Sequence, residues 1–254
     1  MSGYRRPLAI RPDPHGEVPE VAMVMAAGLG KRMRPLTATR PKPLVEVAGK
    51  SLIDHCFDRL RSAGVRKAVV NVHYLADSLE AHLNNRVQGI EIAVSDEREK
   101  LLETGGGLIK ALPLIDADPF LVINSDNLWV DGPMDSLRLL AANWDDERMD
   151  ALLLLVPLAR AHCHKGQGDF HMSADGLLRR RKLGAVAPFV FTGIQIVSKR
   201  LLEGEHPGGA FSTNVFWSQA IEKGRLFGVV HQGLWFDVGA PENIAKTEEM
   251  LAGG

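Results

Sequence analysis

The run Ala26-Ala27-Gly28-Leu29-Gly30-Lys31-Arg32-Met33-Arg34 couples two glycines to three cations within one short segment. Glycine lets backbone N–H groups approach an anion with no Cβ in the way. Arginine can hold phosphate oxygens through two parallel hydrogen bonds. Arg32 is therefore a candidate for phosphate work, and so is Lys42. Lys42 lies between Pro41 and Pro43, whose fixed φ angles limit where its ammonium can go. The run is not a Walker A loop, which needs G-x-x-x-x-G-K-[ST], nor a dinucleotide fingerprint, which needs a third glycine. Taken alone, it fits a solvated basic turn as well as a phosphate cradle.

Two distant carboxylates are the next candidates. Asp126 follows the apolar run Phe120-Leu121-Val122-Ile123-Asn124, and Asp237 sits in Trp235-Phe236-Asp237-Val238-Gly239. Carboxylates, waters and phosphate oxygens make up the shell that Mg2+ prefers. A pair from separate strands would hold one ion against a phosphate. An isolated Asp at a strand end is more often a helix or turn cap. Leu102-Glu103-Thr104-Gly105-Gly106-Gly107 would let a flat base lie against bare backbone, or would form an ordinary strand-to-helix turn. Asn71 and His73 stand at the end of another apolar run, where a histidine is as readily a satisfied surface group as a ligand.

Loops of this kind need a sheet to aim them. In open α/β sheets, ligands sit beyond the carboxyl ends of the strands. Residues 21–26, VAMVMA, read as a buried parallel strand that stops at the glycine loop. Residues 51–63 read as a helix, with Ser51-x-x-Asp54 as its start and Gly64 as its stop. Strands follow at 68–72, 90–94, 120–124 and 151–156. Helices are expected at 76–84, 108–112 and 136–144. The alternation argues for right-handed crossovers and a mostly parallel sheet flanked by helices, an α/β Rossmann-like architecture. The second half has another rhythm. Residues 169–172 and 177–180 flank Ala174-Asp175-Gly176 as a hairpin. Strands at 189–196 and 226–231 and helices at 214–222 and after Pro241 complete it. Residues 21–254 are expected to form one catalytic domain with added antiparallel strands. Residues 1–20, rich in Arg and Pro, are expected to be a loosely packed arm and not a signal peptide.

Composition excludes several classes. The 254 residues carry a net charge of −1, with 45% hydrophobic and 24% charged side chains. Such a balance gives no global field for nucleic acid or an acidic membrane. No apolar run approaches the roughly 20 residues needed to span a bilayer. Cys56 and Cys163 form no C-x-x-C pair, so zinc or disulfide frameworks are not expected and a reducing, cytoplasmic setting is. Nothing in the sequence reports an oligomeric state.

The longer stretch AAGLGKRMRPLTATRPKPLVEVAGKSLI resembles the signature of the sugar nucleotidyltransferase family. The resemblance implies a glycosyltransferase A-like fold and an enzyme that joins a nucleoside triphosphate to a sugar 1-phosphate, releasing pyrophosphate. It implies Mg2+ as cofactor, held by Asp126 and Asp237. It places Arg32 at the β- and γ-phosphates, and Lys42 at the α-phosphate or the incoming sugar phosphate. Ala26, Ala27, Gly28, Leu29, Gly30, Lys31, Asn71, His73, Gly105 and Gly106 would frame the nucleotide. Ser125 stands where the commoner family form has glycine.

LETGGG, Gly168-Asp169-Phe170, Phe191-Thr192-Gly193-Ile194 and WFDVG recur in order. Together they resemble the branch of the family that uridylylates N-acetylmuramate 1-phosphate, over roughly residues 21–250. This implies UTP as donor and that sugar phosphate as acceptor, with Glu103, Asn124, Asp169, Gly193 and Asn214 around the sugar. Asn214-Val215-Phe216-Trp217 replaces a lysine-bearing, proline-containing segment of the family. Arg179-Arg180-Arg181-Lys182 has no counterpart; it is either a solvated face or a partner for the acceptor's lactyl carboxylate. Mannose-1-phosphate guanylyltransferases share the first motif and are the nearest rival. Many of them add hexapeptide repeats that this sequence lacks. A cytidylyltransferase is a weaker alternative. A non-catalytic nucleotide-sugar sensor would lack the phosphate-handling residues, and Arg32, Lys42, Asp126 and Asp237 are all present.

Overall fold

Apolar strands of five or six residues, too short and too continuously hydrophobic to face water, demand cover on both sides. The computed structural model, which describes residues 16–253, supplies it. In chain order the strands are β1 (Val21–Met25), β2 (Glu46–Val47), β3 (Lys50–Ser51), β4 (Lys67–Val72), β5 (Glu91–Asp96), β6 (Phe120–Asn124) and β7 (Asn127–Val130). They continue as β8 (Ala151–Pro157), β9 (Ala161–His162), β10 (Phe170–Met172), β11 (Leu178–Arg180), β12 (Phe189–Val197), β13 (Leu226–Val230) and β14 (Leu234–Asp237). The α-helices are α1 (Leu52–Ala63), α2 (Ala76–Arg86), α3 (Glu103–Ala111), α4 (Ser136–Asn143), α5 (Asn214–Glu222) and α6 (Pro241–Ala252).

A nine-stranded sheet runs β11-β10-β12-β6-β1-β4-β5, with β8 beside β12 and β13 beside β8. The half built from β6, β1, β4 and β5 is parallel. β12 then enters antiparallel to β6 and β8, and β10 antiparallel to β12. The expected mostly parallel sheet with antiparallel additions is therefore what forms, and β10–β11 is the expected hairpin.

Strand alternation divides the core. Ala22 and Val24 of β1 face one layer with Ile53, Phe57 and Leu60 of α1 and Leu140 of α4. Val21 and Met23 face the other, with Leu108 of α3 and Phe216 of α5. α1 starts where expected: Ser51 Oγ accepts from Asp54 N at 3.2 Å, and Gly64 closes it in the left-handed region at φ 93°. A Cβ at that φ would be strained. Burial pushes the Cys56 thiol of α1 up to about 12, which removes it as a nucleophile.

Two expectations need correction. The helix after the third strand begins at Glu103, not at Leu108, so Gly105, Gly106 and Gly107 lie inside its first turns. The cause is packing. A Cβ on Gly106 would sit 2.1 Å from the Gly209 carbonyl oxygen, and one on Gly105 2.5 Å from the Phe211 ring. Helix propensity yields here to a close approach of backbones. The arm at 1–20 lies mostly outside the described residues. Its last part is packed: a Cβ on Gly16 would fall 2.4 Å from Ala141 O, and Glu20 O accepts from Arg66 N at 2.8 Å.

A second, three-stranded sheet, β7-β14-β9, stands at the carboxyl end of the parallel strands. Met33, Val45, Val47 and Leu52 from the glycine loop and the β2–β3 hairpin pack onto Leu128, Phe236 and Val238. This small core ties the basic loop to the strands that carry the two aspartates.

Candidate active site

The basic loop is held by specific bonds. Asn71, buried at the end of β4, accepts from Ala26 N at 2.6 Å and donates to Glu97 Oε1 at 2.7 Å. Glu97 Oε2 accepts from Leu102 N. One buried carboxylate thus fixes the ends of β4 and β5, and through Asn71 that of β1, and the entry to α3. Glu97 gave no signal in the sequence, because nothing there brings Asn71, Leu102 and a glutamate together. Gly30, at φ 59°, turns the loop. Thr37 Oγ1 donates to Gly30 O at 2.8 Å. A Cβ on Gly30 would meet Thr37 Cγ2 at 2.9 Å and Lys42 Cβ at 3.1 Å. That closeness delivers Lys42 to the loop.

Lys42 is buried, and its Nζ donates to Asp126 Oδ2 at 2.6 Å. Strand pairing brings in the second carboxylate. β14 lies antiparallel to β7, with Asp237 opposite Asn127, the neighbour of Asp126. His164 Nδ1 faces Asp237 Oδ2 at 3.4 Å. The imidazole is the largest influence holding the Asp237 carboxyl below the usual carboxylate range; Arg32 and Lys42 add to it, and burial opposes it. A Cβ on Gly239 would sit 2.7 Å from Asp237 Oδ1 and 3.2 Å from Arg32 Nη1. The glycine after Val238 therefore makes room for the carboxylate and the guanidinium together. Ser125, in place of glycine, is buried and useful. Its Oγ donates to Met25 O at 2.9 Å, locking β6 to β1.

Three cavities are lined by expected site residues. One of about 380 Å³ is lined by Ala27, Gly28, Asn71, Glu103, Asn124 and Asp126. Glu103 holds φ 59°, a strained conformation for a residue with a Cβ, and such strain gathers at binding sites. A second, of about 590 Å³, is lined by Arg32, His164, Lys165 and Asp237. A third, of about 330 Å³, is lined by Asp169, Arg180, Phe191, Asn214 and Trp217. The two aspartates line separate cavities. Among the described residues, no three His, Cys, Asp or Glu side chains group as a metal cage. A pair of carboxylates is a hard oxygen donor set, and it fits Mg2+ completed by water and phosphate.

The remaining expected site residues take other positions. His73 Nδ1 is paired with the Glu97 carbonyl at 2.7 Å. Gly105 and Gly106 donate their N–H groups to Phe211 O, so they seat α3 against the 209–211 segment. Gly193, at φ 83°, makes room for Asn127, whose Nδ2 would lie 2.0 Å from a Cβ there. It stands at the break in register between β12 and β8. Leu29 and Lys31 remain on the loop rim. His164, Thr104 and Ser212 also border the cavities and were not expected. His164 sits in His162-Cys163-His164, which matches no metal or catalytic spacing.

The Nucleotidyl transferase family model matches residues 21–162. The chain belongs to this family. It is 46% identical over 239 residues to an N-acetylmuramate alpha-1-phosphate uridylyltransferase of Caulobacter vibrioides, covering 93% of this chain and 98% of that protein. It is 29% identical to a mannose-1-phosphate guanylyltransferase catalytic subunit beta of Danio rerio, covering 87% of this chain and 62% of that one. A UDP-glucose pyrophosphorylase crystallised with UDP-glucose superposes with a TM-score of 0.77 at 16% identity, covering 92% of this chain and 99% of that chain. That likeness shows the nucleotidyltransferase fold. Members of the family are enzymes and generally use a divalent metal.

Proposed function

We propose that the protein transfers UMP from UTP to N-acetylmuramate 1-phosphate, releasing pyrophosphate. The observation that supports the reaction type is that Lys42 pairs with Asp126 and, with Arg32, also acts on the Asp237 carboxyl. The 46% identity to the Caulobacter uridylyltransferase supports the choice of substrates over GTP and mannose 1-phosphate. Residues 21–254 form the catalytic unit in this reading. It is supported by a nine-stranded sheet that draws strands from Val21 to Val230.

The sugar phosphate oxygen forms a bond to the α-phosphorus of UTP, and the bond from that phosphorus to the bridging oxygen of pyrophosphate breaks. Two anions must meet in line, so positioning and charge do most of the work. Asp126 and Asp237 would hold Mg2+, which supplies neutralising charge to the phosphates. Lys42 neutralises the reacting phosphates from the loop side. Arg32 holds the β- and γ-phosphates, and the cavity it shares with His164 and Lys165 receives the leaving pyrophosphate. Backbone at Ala27 and Gly28, with Asn71, bounds the nucleoside, and Glu103 borders the same cavity. No covalent nucleophile is required.

The test is pyrophosphate release from UTP, GTP, CTP, ATP and TTP, each with N-acetylmuramate 1-phosphate or mannose 1-phosphate. UTP with the muramate is expected to be fastest. A faster reaction with GTP and mannose 1-phosphate would overturn the substrates and leave the reaction type standing.

A further inference from the structure

The lateral pocket behind the hairpin holds an arginine with spare hydrogen-bond capacity. Arg180 Nη1 donates to Asn214 Oδ1 and Nη2 to Asn214 O, both at 3.0 Å. Its Nε is buried with no partner. Its guanidinium lies over the Phe170 and Trp217 rings, 5.8 Å from each centroid. A guanidinium has five N–H donors, and two are committed. Among the described residues, no carboxylate lies within ion-pair distance of it, although Arg40, Arg59, Arg61, Arg66, Arg98, Arg200 and Arg225 all have one. Asp169 is the nearest acid to influence it, and its Oδ2 is already accepting from Phe191 N at 2.9 Å. Burial of Arg180 pushes its pKa down with only Asp169 opposing. The cost of burying a cation is left without a paired anion.

The rest of the basic run differs. Arg181 spends its donors on Gly168 O, Ala185 O and Gln167 Oε1, holding the hairpin loop. Arg179 and Lys182 are exposed. Arg180 alone of the four lines the pocket without being used up on the loop.

Strand β12 connects this pocket to the reacting centre. A Cβ on Gly193 would lie 3.0 Å from Asn124 Cβ, at the edge of the central cavity. Phe191, two residues back and roughly 7 Å along the strand, lines the lateral pocket. A pyranose held with its 1-phosphate at Lys42 would bridge that interval and point a ring substituent at Arg180.

We infer that Arg180 binds the lactyl carboxylate of the acceptor, selecting a sugar 1-phosphate that carries an acid-bearing ether substituent. Charge-assisted pairing of a stacked, preorganised guanidinium with a carboxylate is among the stronger polar contacts. The inference rests on the muramate reading above and adds the residue that reads the acid.

The test compares N-acetylmuramate 1-phosphate with its lactyl amide, in the wild type and in Arg180→Gln and Arg180→Lys. The wild type should use the acid with kcat/KM roughly 30-fold above the amide, a difference of about 2 kcal/mol. Arg180→Gln should lose that preference by slowing the acid and leaving the amide within about threefold, which also shows that the variant folds. Arg180→Lys should recover part of it. Equal losses with acid and amide would place Arg180 at the shared 1-phosphate or in the structure alone, and would overturn the inference. So would a wild type indifferent to the amide. Failure of the wild type to use either sugar with UTP would overturn the muramate reading, and this inference with it.

Discussion

Lys42 is the residue on which the charge arrangement turns. It donates to Asp126 at 2.6 Å and also helps hold the Asp237 carboxyl below its ordinary range. One ammonium therefore acts on both carboxylates. Removing it would leave two like charges with less compensation and the reacting phosphates unneutralised. Lys42→Ala is expected to lower kcat roughly 100-fold or more, the usual loss for one positioned charge donor in an excluded site. A KM change without a kcat change would remove Lys42 from the chemical step. The candidacies of Arg32, Lys42, Asp126 and Asp237 were legible because their types and flanking prolines or glycines carry chemical meaning. His164 and Glu97 were not. The contacts His164–Asp237 and Glu97–Asn71 join residues tens of positions apart, and neither residue stands in a recognisable pattern.

Elements decide how those residues are aimed. Strands β1, β4 and β6 and helices α1 and α5 were readable from unbroken apolar runs, helical spacing and caps. The short strands β7, β9 and β14 were not. Each has only two to four residues, too few to show a period, so Asp237 was placed on a strand whose bounds and partners Trp235-Phe236-Asp237 did not reveal. The β2–β3 turn was missed as well. Ala48 and Gly49 both hold positive φ, 52° and 74°, in a tight hairpin turn that more often announces itself as Asn-Gly or Asp-Gly. The start of α3 was misplaced because three glycines look like a loop until Gly209 and Phe211 are seen against them. Gly106→Ala tests that reason. The new Cβ meets the Gly209 carbonyl, which is backbone and must move. Overpacking of this kind costs roughly 1–3 kcal/mol, and α3 carries Glu103 and Thr104 into the central cavity. A lower melting temperature together with a raised KM for the nucleotide is the expected result. An unchanged variant would show that the close approach is not needed.

At the scale of the whole molecule, two larger sheets and three apolar clusters share the chain. His231 lies buried just after β13. Its Nε2 pairs with Leu234 O at 3.0 Å, and its Nδ1 faces Ser136 Oγ at 3.2 Å. Burial is the largest influence on it and depresses its pKa below 6.5. The folded state thus keeps His231 neutral where the unfolded chain would protonate it. The stability this gives is fully present above about pH 6.5 and is lost as the pH falls toward the depressed value. Thermal unfolding followed from neutral to mildly acid pH should show a falling midpoint. His231→Gln should flatten that slope, whatever it does to the midpoint at neutral pH. A variant slope equal to the wild type would assign the acid sensitivity elsewhere.

Asp126 and Asp237 are proposed to make one nucleotidyl-transfer site together. The most direct measurement is pyrophosphate release from UTP and N-acetylmuramate 1-phosphate in Mg2+, for the wild type, Asp126→Asn and Asp237→Asn. Circular dichroism on the same samples reports their folding. Turnover by the wild type and its loss in both variants, with native spectra, is the expected result. Near-wild-type turnover by both folded variants would contradict it.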